Sequence, residues 1–188
     1  MANDIRRNPA DEAAARQAIE IDPTNANAYF NLGFLLARDL ARVDEAETAF
    51  RQAIELEPDN PRYIYRLALL LHDKLQRLDE ADSLYRRAIE LAPDDPFYYS
   101  GHISLLMQQS QQAEALALSK TMRTLLDASE NWYGMAVLDA ILGNVEASLN
   151  YLRQAARETT FDRQWARVDP DLASIRDDPR FDEIVGDL

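Results

Sequence analysis

Three stretches of the chain superimpose: Arg16-Gln-Ala-Ile-Glu-Ile-Asp-Pro23, Arg51-Gln-Ala-Ile-Glu-Leu-Glu-Pro58 and Arg86-Arg-Ala-Ile-Glu-Leu-Ala-Pro93. Ala18, Ala53 and Ala88 fall in register, as do Ile19, Ile54 and Ile89, then Glu20, Glu55 and Glu90, always at a step of 35 residues. Upstream, Asp44-Glu45-Ala46 matches Asp79-Glu80-Ala81 at the same step. A fixed period of this length marks a repeat array, in which one supersecondary unit recurs along the chain.

Within each unit the apolar spacing is helical. Tyr29, Leu32, Gly33 and Leu36 lie at i, i+3, i+4 and i+7, and so do Ile64, Leu67, Ala68 and Leu71. A second stripe follows after a short break, in Ala46, Ala49, Phe50 and Ala53 and again in Ala81, Leu84, Tyr85 and Ala88. Each unit therefore reads as a hairpin of two helices. Asn60-Pro61 and Asp95-Pro96 read as an N-cap followed by proline in the first helical turn. Pro58 and Pro93 end the preceding helices, and Asp44 and Asp79 stand where they can cap the second helix of their hairpins.

These residues resemble the tetratricopeptide repeat, whose pattern is W-x2-L-G-x2-Y, then A-x3-F, A and P. Tyr29, Leu32, Gly33, Leu36, Ala46, Phe50, Ala53 and Pro58 fill it once. Ile64, Leu67, Ala68, Leu71, Ala81, Tyr85, Ala88 and Pro93 fill it again. One extra residue between the helices, around 38–43 and 73–78, accounts for the step of 35. A third, worn unit runs through Tyr99, His102, Ile103, Leu106, Ala115, Ser119 and Met122, with Asp127 in place of the proline. A fourth runs through Trp132, Met135, Ala136, Gly143, Ser148, Leu149, Leu152 and Ala155, with Asp139 at a normally apolar site.

The resemblance spans residues 9–158 and implies an all-α fold, a right-handed superhelical solenoid of antiparallel helical hairpins. Four hairpins are expected at about 25–58, 59–93, 94–127 and 128–158. Residues 1–24 would be an N-terminal capping half-repeat, with Ala13, Ala14, Ala15 and Ala18 packed on the first full hairpin. Two other readings of this front end are a start inside a longer chain and a missing helix supplied by a partner. Residues 159–188 resemble the segment that closes many bacterial arrays of this kind. There Asp169-Pro170 and Asp178-Pro179 would each start a short helix, and Trp165, Leu172, Ile175, Phe181, Ile184 and Val185 would cover the last hairpin.

Composition bounds the function. The 20 Lys+Arg against 33 Asp+Glu leave a net charge of −13, which repels phosphate backbones and anionic lipids. That charge also speaks against a pentatricopeptide-type RNA binder, which shares the 35-residue step. Without Cys there is no disulfide, thiolate nucleophile or Cys-based metal site. His72 and His102 are the only imidazoles. His102 takes a repeat position normally held by buried Leu and reads as a core histidine; His72 is expected to be solvated near the inner surface. No phosphate-binding glycine loop, H-E-x-x-H or G-x-S-x-G motif occurs. The start lacks the apolar core of a signal peptide, and no window nears the roughly 18 apolar residues of a membrane span. A cytoplasmic, non-enzymatic protein without cofactor or metal is expected.

In the family the first helix of each hairpin lines the concave face, and on that analogy the positions flanking the Leu-Gly pair point into a groove. Asn27, Phe30, Asn31, Phe34 and Arg38 come from the first repeat, and Arg62, Tyr65, Arg66, Leu69 and Asp73 from the second. Phe97, Ser100, Ser104 and Gln108 come from the third, Tyr133 and Val137 from the fourth. The aromatics among them lie outside the packing pattern and are expected to be exposed anchors. Arg62 and Arg66, one turn apart, with Asn31 form a candidate clamp for a carboxylate. Chaperone co-factors of the family use Lys, Asn and Arg at such positions; here Phe30 and Phe34 fall where Lys and Asn are expected, which favours an apolar peptide with an acidic group. The bland alternative pairs both arginines with Asp59, Asp73 or other nearby acids. The expected partner is thus another protein, with no nucleic acid and no membrane. The alternative is a structural subunit that self-associates through its open N-terminal end.

Overall fold

The computed structural model describes residues 9–186, and among them all regular structure is helical. The chain divides into two compact units that meet in sequence between Ala92 and Pro93.

The first unit contains α1 (Pro9–Ile21), α2 (Ala26–Leu36), α3 (Val43–Leu56), α4 (Pro61–Leu70) and α5 (Leu78–Leu91). Helices α2 and α3 form one hairpin and α4 and α5 the next, with α1 against α2 and α3 against α4. The apolar stripes meet along these seams: Leu32, Leu36, Ala46, Phe50 and Ala53 are buried, and so are Ile64, Leu67, Ala68, Leu71, Ala81, Tyr85 and Ala88. Gly33 lies so close to Phe50 that a Cβ there would come within 2.8 Å of the ring. Among the described side chains of α1 only Ala15 is buried; Ala18 is half-buried, and Ala13 and Ala14 are exposed, contrary to the expected four-alanine contact.

Local signals set the helix starts. The Asn25 and Asn60 side chains accept from the backbone N–H of Ala28 and Arg62, each at 3.1 Å. Asp44 and Asp79 do not cap, because α3 and α5 begin one residue earlier, at Val43 and Leu78, leaving both acids inside the first turn. There they still oppose the positive end of the helix dipole. The extra residue of each repeat is absorbed before that point in two ways. Between α2 and α3 a 3-10 turn (Leu40–Arg42) forms, its start capped by Asp39, which accepts from Ala41 N–H at 3.0 Å. After α4 a π turn (Leu71–Leu75) forms, and Gln76 then takes a left-handed conformation with φ of 53°.

Ion pairs cross-link the outer helices at the same 35-residue step. Arg42 donates to both oxygens of Glu12 at 2.8 Å and to Glu45 at 3.0 Å, while Arg16 reaches Glu12 at 3.1 Å. One repeat later Arg77 donates to Glu47 at 2.7 Å and to Glu80, and Arg51 bridges the same two acids.

The second unit opens with a 3-10 turn (Pro96–Tyr98), in which Asp95 accepts from Phe97 N–H at 3.0 Å. It continues through α6 (Ser100–Gln108), α7 (Gln112–Ala128), α8 (Trp132–Ile141), α9 (Val145–Ala155), α10 (Arg163–Val168), a 3-10 turn (Pro170–Ile175) and α11 (Pro179–Val185). Asp169 and Asp178 start the last two as expected, each accepting from the N–H two residues on at 3.0 Å. Leu172, Ile175, Phe181, Ile184 and Val185 join Ala136, Ala140, Leu149 and Leu152 in one core. Trp165 is 50% exposed and does not cover this core; Ala166, beside it, faces inward. His102 is buried, and Asp139 is buried in an ion pair with Arg123 at 2.8 Å, with Asn144 donating at 3.0 Å.

Helices α6, α7 and α8 each end on a left-handed residue, Ser110, Glu130 and Gly143. The N–H that follows reaches back to the carbonyl of Leu106, Leu126 or Asp139 at 2.8–3.0 Å. Glycine is the residue this closure favours, since a side chain strains it. Glu130→Gly is therefore expected to stabilise the protein by about 0.5–1 kcal/mol, a rise in Tm of about 1–3 °C by circular dichroism.

The ion pairs also make stability depend on acid. Arg42, with Arg16, holds the Glu12 carboxyl at about 2 against an ordinary 4.5, and Arg180 holds Asp178 at about 2 against 3.8. A depressed folded-state value adds stability above the ordinary pKa that is lost as pH falls through the folded value. The urea midpoint should therefore drop between pH 4.5 and about 2. Glu12→Gln should lower it at neutral pH and flatten that drop.

Candidate peptide-binding face

Register decides which of the candidate residues face solvent. Phe30, Tyr65, Ser100 and Tyr133 share one position, directly after the residue that opens each repeat pattern. None of them is an exposed anchor: Phe30 (7%), Tyr65 (3%) and Ser100 (9%) are buried and Tyr133 is half-buried. The Phe30 ring stacks on Tyr63 with centroids 4.9 Å apart and lies 5.8 Å from Phe50. Tyr65 packs on Tyr85 at 5.5 Å. Tyr133 donates its hydroxyl to Asp169 at 2.6 Å, and burial and that carboxylate raise its pKa. These side chains sit in the seams between helices, because the small residues beside them let the backbones approach and enclose whatever is adjacent.

The next lines outward are open. On α2 and just beyond it, Asn27, Asn31, Phe34 (43%) and Arg38 are exposed. On α4 Arg62 is exposed, while Arg66 and Leu69 are half-buried; Asp73 beyond them is exposed. In the second unit Phe97 (47%) and Gln108 are exposed, Ser104 is half-buried and Val137 is buried.

The first unit brings its face together through two arginine–aromatic contacts. Arg62 places its guanidinium carbon 4.3 Å from the centroid of Phe30, and one nitrogen lies 3.5 Å from Asn27 Oδ1. One turn on, the guanidinium carbon of Arg66 lies 5.3 Å from the centroid of Phe34. A ring beneath a guanidinium holds a long side chain in place without neutralising it. Asp59, offered above as a partner for these arginines, instead faces Arg87 at 3.8 Å. Among the described residues no carboxylate lies within ion-pairing distance of Arg62.

Charge is sorted between the helices of this unit. Helix α2 has no charged residue, and α4 has only Arg62 and Arg66. The acids sit on α1, α3 and α5: Asp11, Glu12 and Glu20, then Asp44, Glu45, Glu47 and Glu55, then Asp79, Glu80, Asp82 and Glu90. An acidic molecule thus carries a neutral-to-cationic face.

His72 is not solvated. The π turn tucks it in at 6% exposure, with Nδ1 3.3 Å from the Tyr85 hydroxyl. Sequence reasoning missed the pairing of Arg62 and Arg66 with rings on α2. The signal was available, since Asn27 and Arg62, like Asn31 and Arg66, stand one repeat apart.

Comparison with known proteins agrees with this architecture. Two family models described as tetratricopeptide repeat match residues 14–48 and 32–96. No curated protein sequence matches the chain. Among solved structures, YrrB, described as a TPR protein with an unusual peptide-binding site, is 25% identical with a TM-score of 0.53 over 75% of this chain and 72% of its own. The pilF protein of Pseudomonas aeruginosa is 19% identical, with a TM-score of 0.58 over 87% and 78%. Yeast Tom70 is 21% identical, with a TM-score of 0.63 over 93% of this chain and 37% of its own. Among the described residues no helix is long and apolar enough to cross a membrane. The two models together identify tetratricopeptide repeats over residues 14–96, and the paired helices of both units are similar in fold to the tetratricopeptide repeat proteins named above.

Proposed function

We propose that this tetratricopeptide repeat scaffold holds an acidic segment of a partner protein on the α2–α4 face of its first unit. The observation that carries the reading is the sorting of charge: Arg62 and Arg66 are the only charged residues of α2 and α4, on a chain of net charge −13. Arg62 and Arg66 offer donors to a carboxylate, and the Asn27 and Asn31 amides can bond a peptide backbone. Phe34 offers an exposed ring for an apolar side chain. Such a scaffold positions its partner and needs no catalytic group of its own. The peptide-binding description of YrrB supports the same use of the fold.

The test compares wild type with Arg62→Glu/Arg66→Glu in affinity capture from the source organism's lysate. Circular dichroism on both proteins establishes that the variant is folded. A partner held by wild type should be lost by at least about tenfold from the double variant, since each arginine–carboxylate contact contributes about 1.5–3 kcal/mol. Equal retention would remove this face from consideration. Tyr65 is unsuitable as a probe: Tyr65→Ala should cost about 3 kcal/mol of stability by opening a cavity, whereas Phe34→Ala should cost less than about 1 kcal/mol and still weaken binding. Urea denaturation separates the two.

A second reading, association between copies through α1, rests on its own observation. Ile21 is 76% exposed and Ala14 is exposed, although Ala49, one repeat later, is buried. Sedimentation velocity of wild type and Ile21→Glu decides it: a concentration-dependent dimer that the variant lacks would support it, and a monomer throughout would end it.

A further inference from the structure

Two positions of the repeat change character together where α8 lies against α7. At the position of Arg123 the three preceding copies carry Ile19, Ile54 and Ile89, and at that of Asp139 they carry Leu36, Leu71 and Leu106. The first position is half-buried in all four copies and the second is buried in all four, Asp139 at 2% exposure. Isoleucine and leucine have thus given way to arginine and aspartate with no change in burial.

The new pair is well partnered. Arg123 Nη2 lies 2.8 Å from Asp139 Oδ1 and Nη1 3.3 Å from Oδ2, a two-pronged contact between α7 and α8. Asn144, at the bend into α9, donates its amide to Oδ1 at 3.0 Å and its backbone N–H to the Asp139 carbonyl at 2.8 Å. Arg123 Nη1 also lies 3.7 Å from Met135 Sδ, one turn earlier on α8. Asp127 and Tyr151 act on the guanidinium only at longer range. A buried ion pair adds little stability over an apolar pair of similar volume, because both charges leave water. Its contribution is selectivity: in any other seat of α8, Asp139 would be enclosed without its partner.

This seam has particular need of selectivity. Helix α7 has 17 residues against 10 in α8, and its buried line, Ala115, Ser119, Met122 and Leu126, recurs at each turn. Ser119 stands where Phe50 and Tyr85 supply a ring in the first two full repeats, and its hydroxyl donates to the Ala115 carbonyl of its own helix at 2.6 Å. The height of α8 in turn sets the C-terminal segment, since Tyr133 on α8 donates to Asp169 at 2.6 Å. A slide of one turn, about 5.4 Å, would part those two groups.

We propose that Arg123 and Asp139 are a register key, which selects one seat of α8 on α7 in place of the missing ring and thereby sets the C-terminal segment. The pair is kept for the uniqueness of the stack.

The experiment restores the apolar pair in the full chain, as Arg123→Ile/Asp139→Leu, and labels the 5 glycines with nitrogen-15. Gly134 of α8 reports the seat, because it approaches α7 so closely that a Cβ there would come within 2.3 Å of the Leu126 side chain. Wild type should give one Gly134 amide cross-peak. The double variant should give two or more, or lose the peak to broadening, while its urea midpoint equals or exceeds that of wild type. Each single variant should lower the midpoint, Arg123→Ile more than Asp139→Leu, because it strands a buried carboxylate whereas the half-buried guanidinium can turn to water. A single Gly134 peak in the double variant would overturn the proposal, as would several in wild type. A double-variant midpoint below wild type would do the same, since the pair would then be an ordinary stabilising contact.

Discussion

The structure depends on how closely the two helices of a hairpin approach. Ala46, Ala53, Ala81 and Ala88 have no exposed surface, and Gly33 leaves no room for even a methyl group before the ring of Phe50. Larger side chains at these points would hold the helices apart and open the seam along its length. Phe50 and Tyr85 then fill the wedge that remains. A single hairpin packed this tightly still has an apolar side uncovered, so it is stable only against a neighbour. That is why α1 lies on α2 and α3 on α4, and why the last apolar residues of the second unit come from short helical pieces fitted onto α8 and α9.

Tight packing has an electrostatic counterpart. Acids placed on α1, α3 and α5 carry high local charge, and arginines at the same step tie neighbouring helices together across it. Glu12 and Glu47 each receive an arginine from the following repeat as well as one from their own helix. With the negative charge gathered and partly compensated there, α2 and α4 are left with none. The face they present differs from the rest of the first unit in sign as well as in shape.

The period, the hairpins and the caps were legible because each depends on residues close in sequence. Asn60, Asp95, Asp169 and Asp178 cap as their Asn-Pro and Asp-Pro pairs indicate, and the alanine positions follow from the repeat alone. Facing was less legible. Phe30 and Tyr65 lie one residue from the packing stripe, and only the rings of Tyr63, Phe50 and Tyr85, brought in by other helices, decide that they are enclosed. Trp165 errs the other way, since its small neighbour Ala166 fits the space against the core. His72 was misplaced because the π turn rotates it inward, and no local signal in Leu71–Leu75 announces that turn. The ion pairs between repeats were written in the sequence, as Glu12 and Glu47 or Arg42 and Arg77, but become visible only once the repeats are stacked.

The two connections within the first unit's hairpins solve one problem differently. Both must accommodate a residue more than the common repeat length; one does so with a tightened turn and the other with a widened one. The helices on either side meet through the same alanines in both cases. The surplus is confined to the bend, much as slack in a rope gathers at a loop while the taut spans stay parallel. Length at that bend is thus uncoupled from the fit of the helices, and it is there that such a repeat can gain or lose a residue while every helix keeps its neighbours.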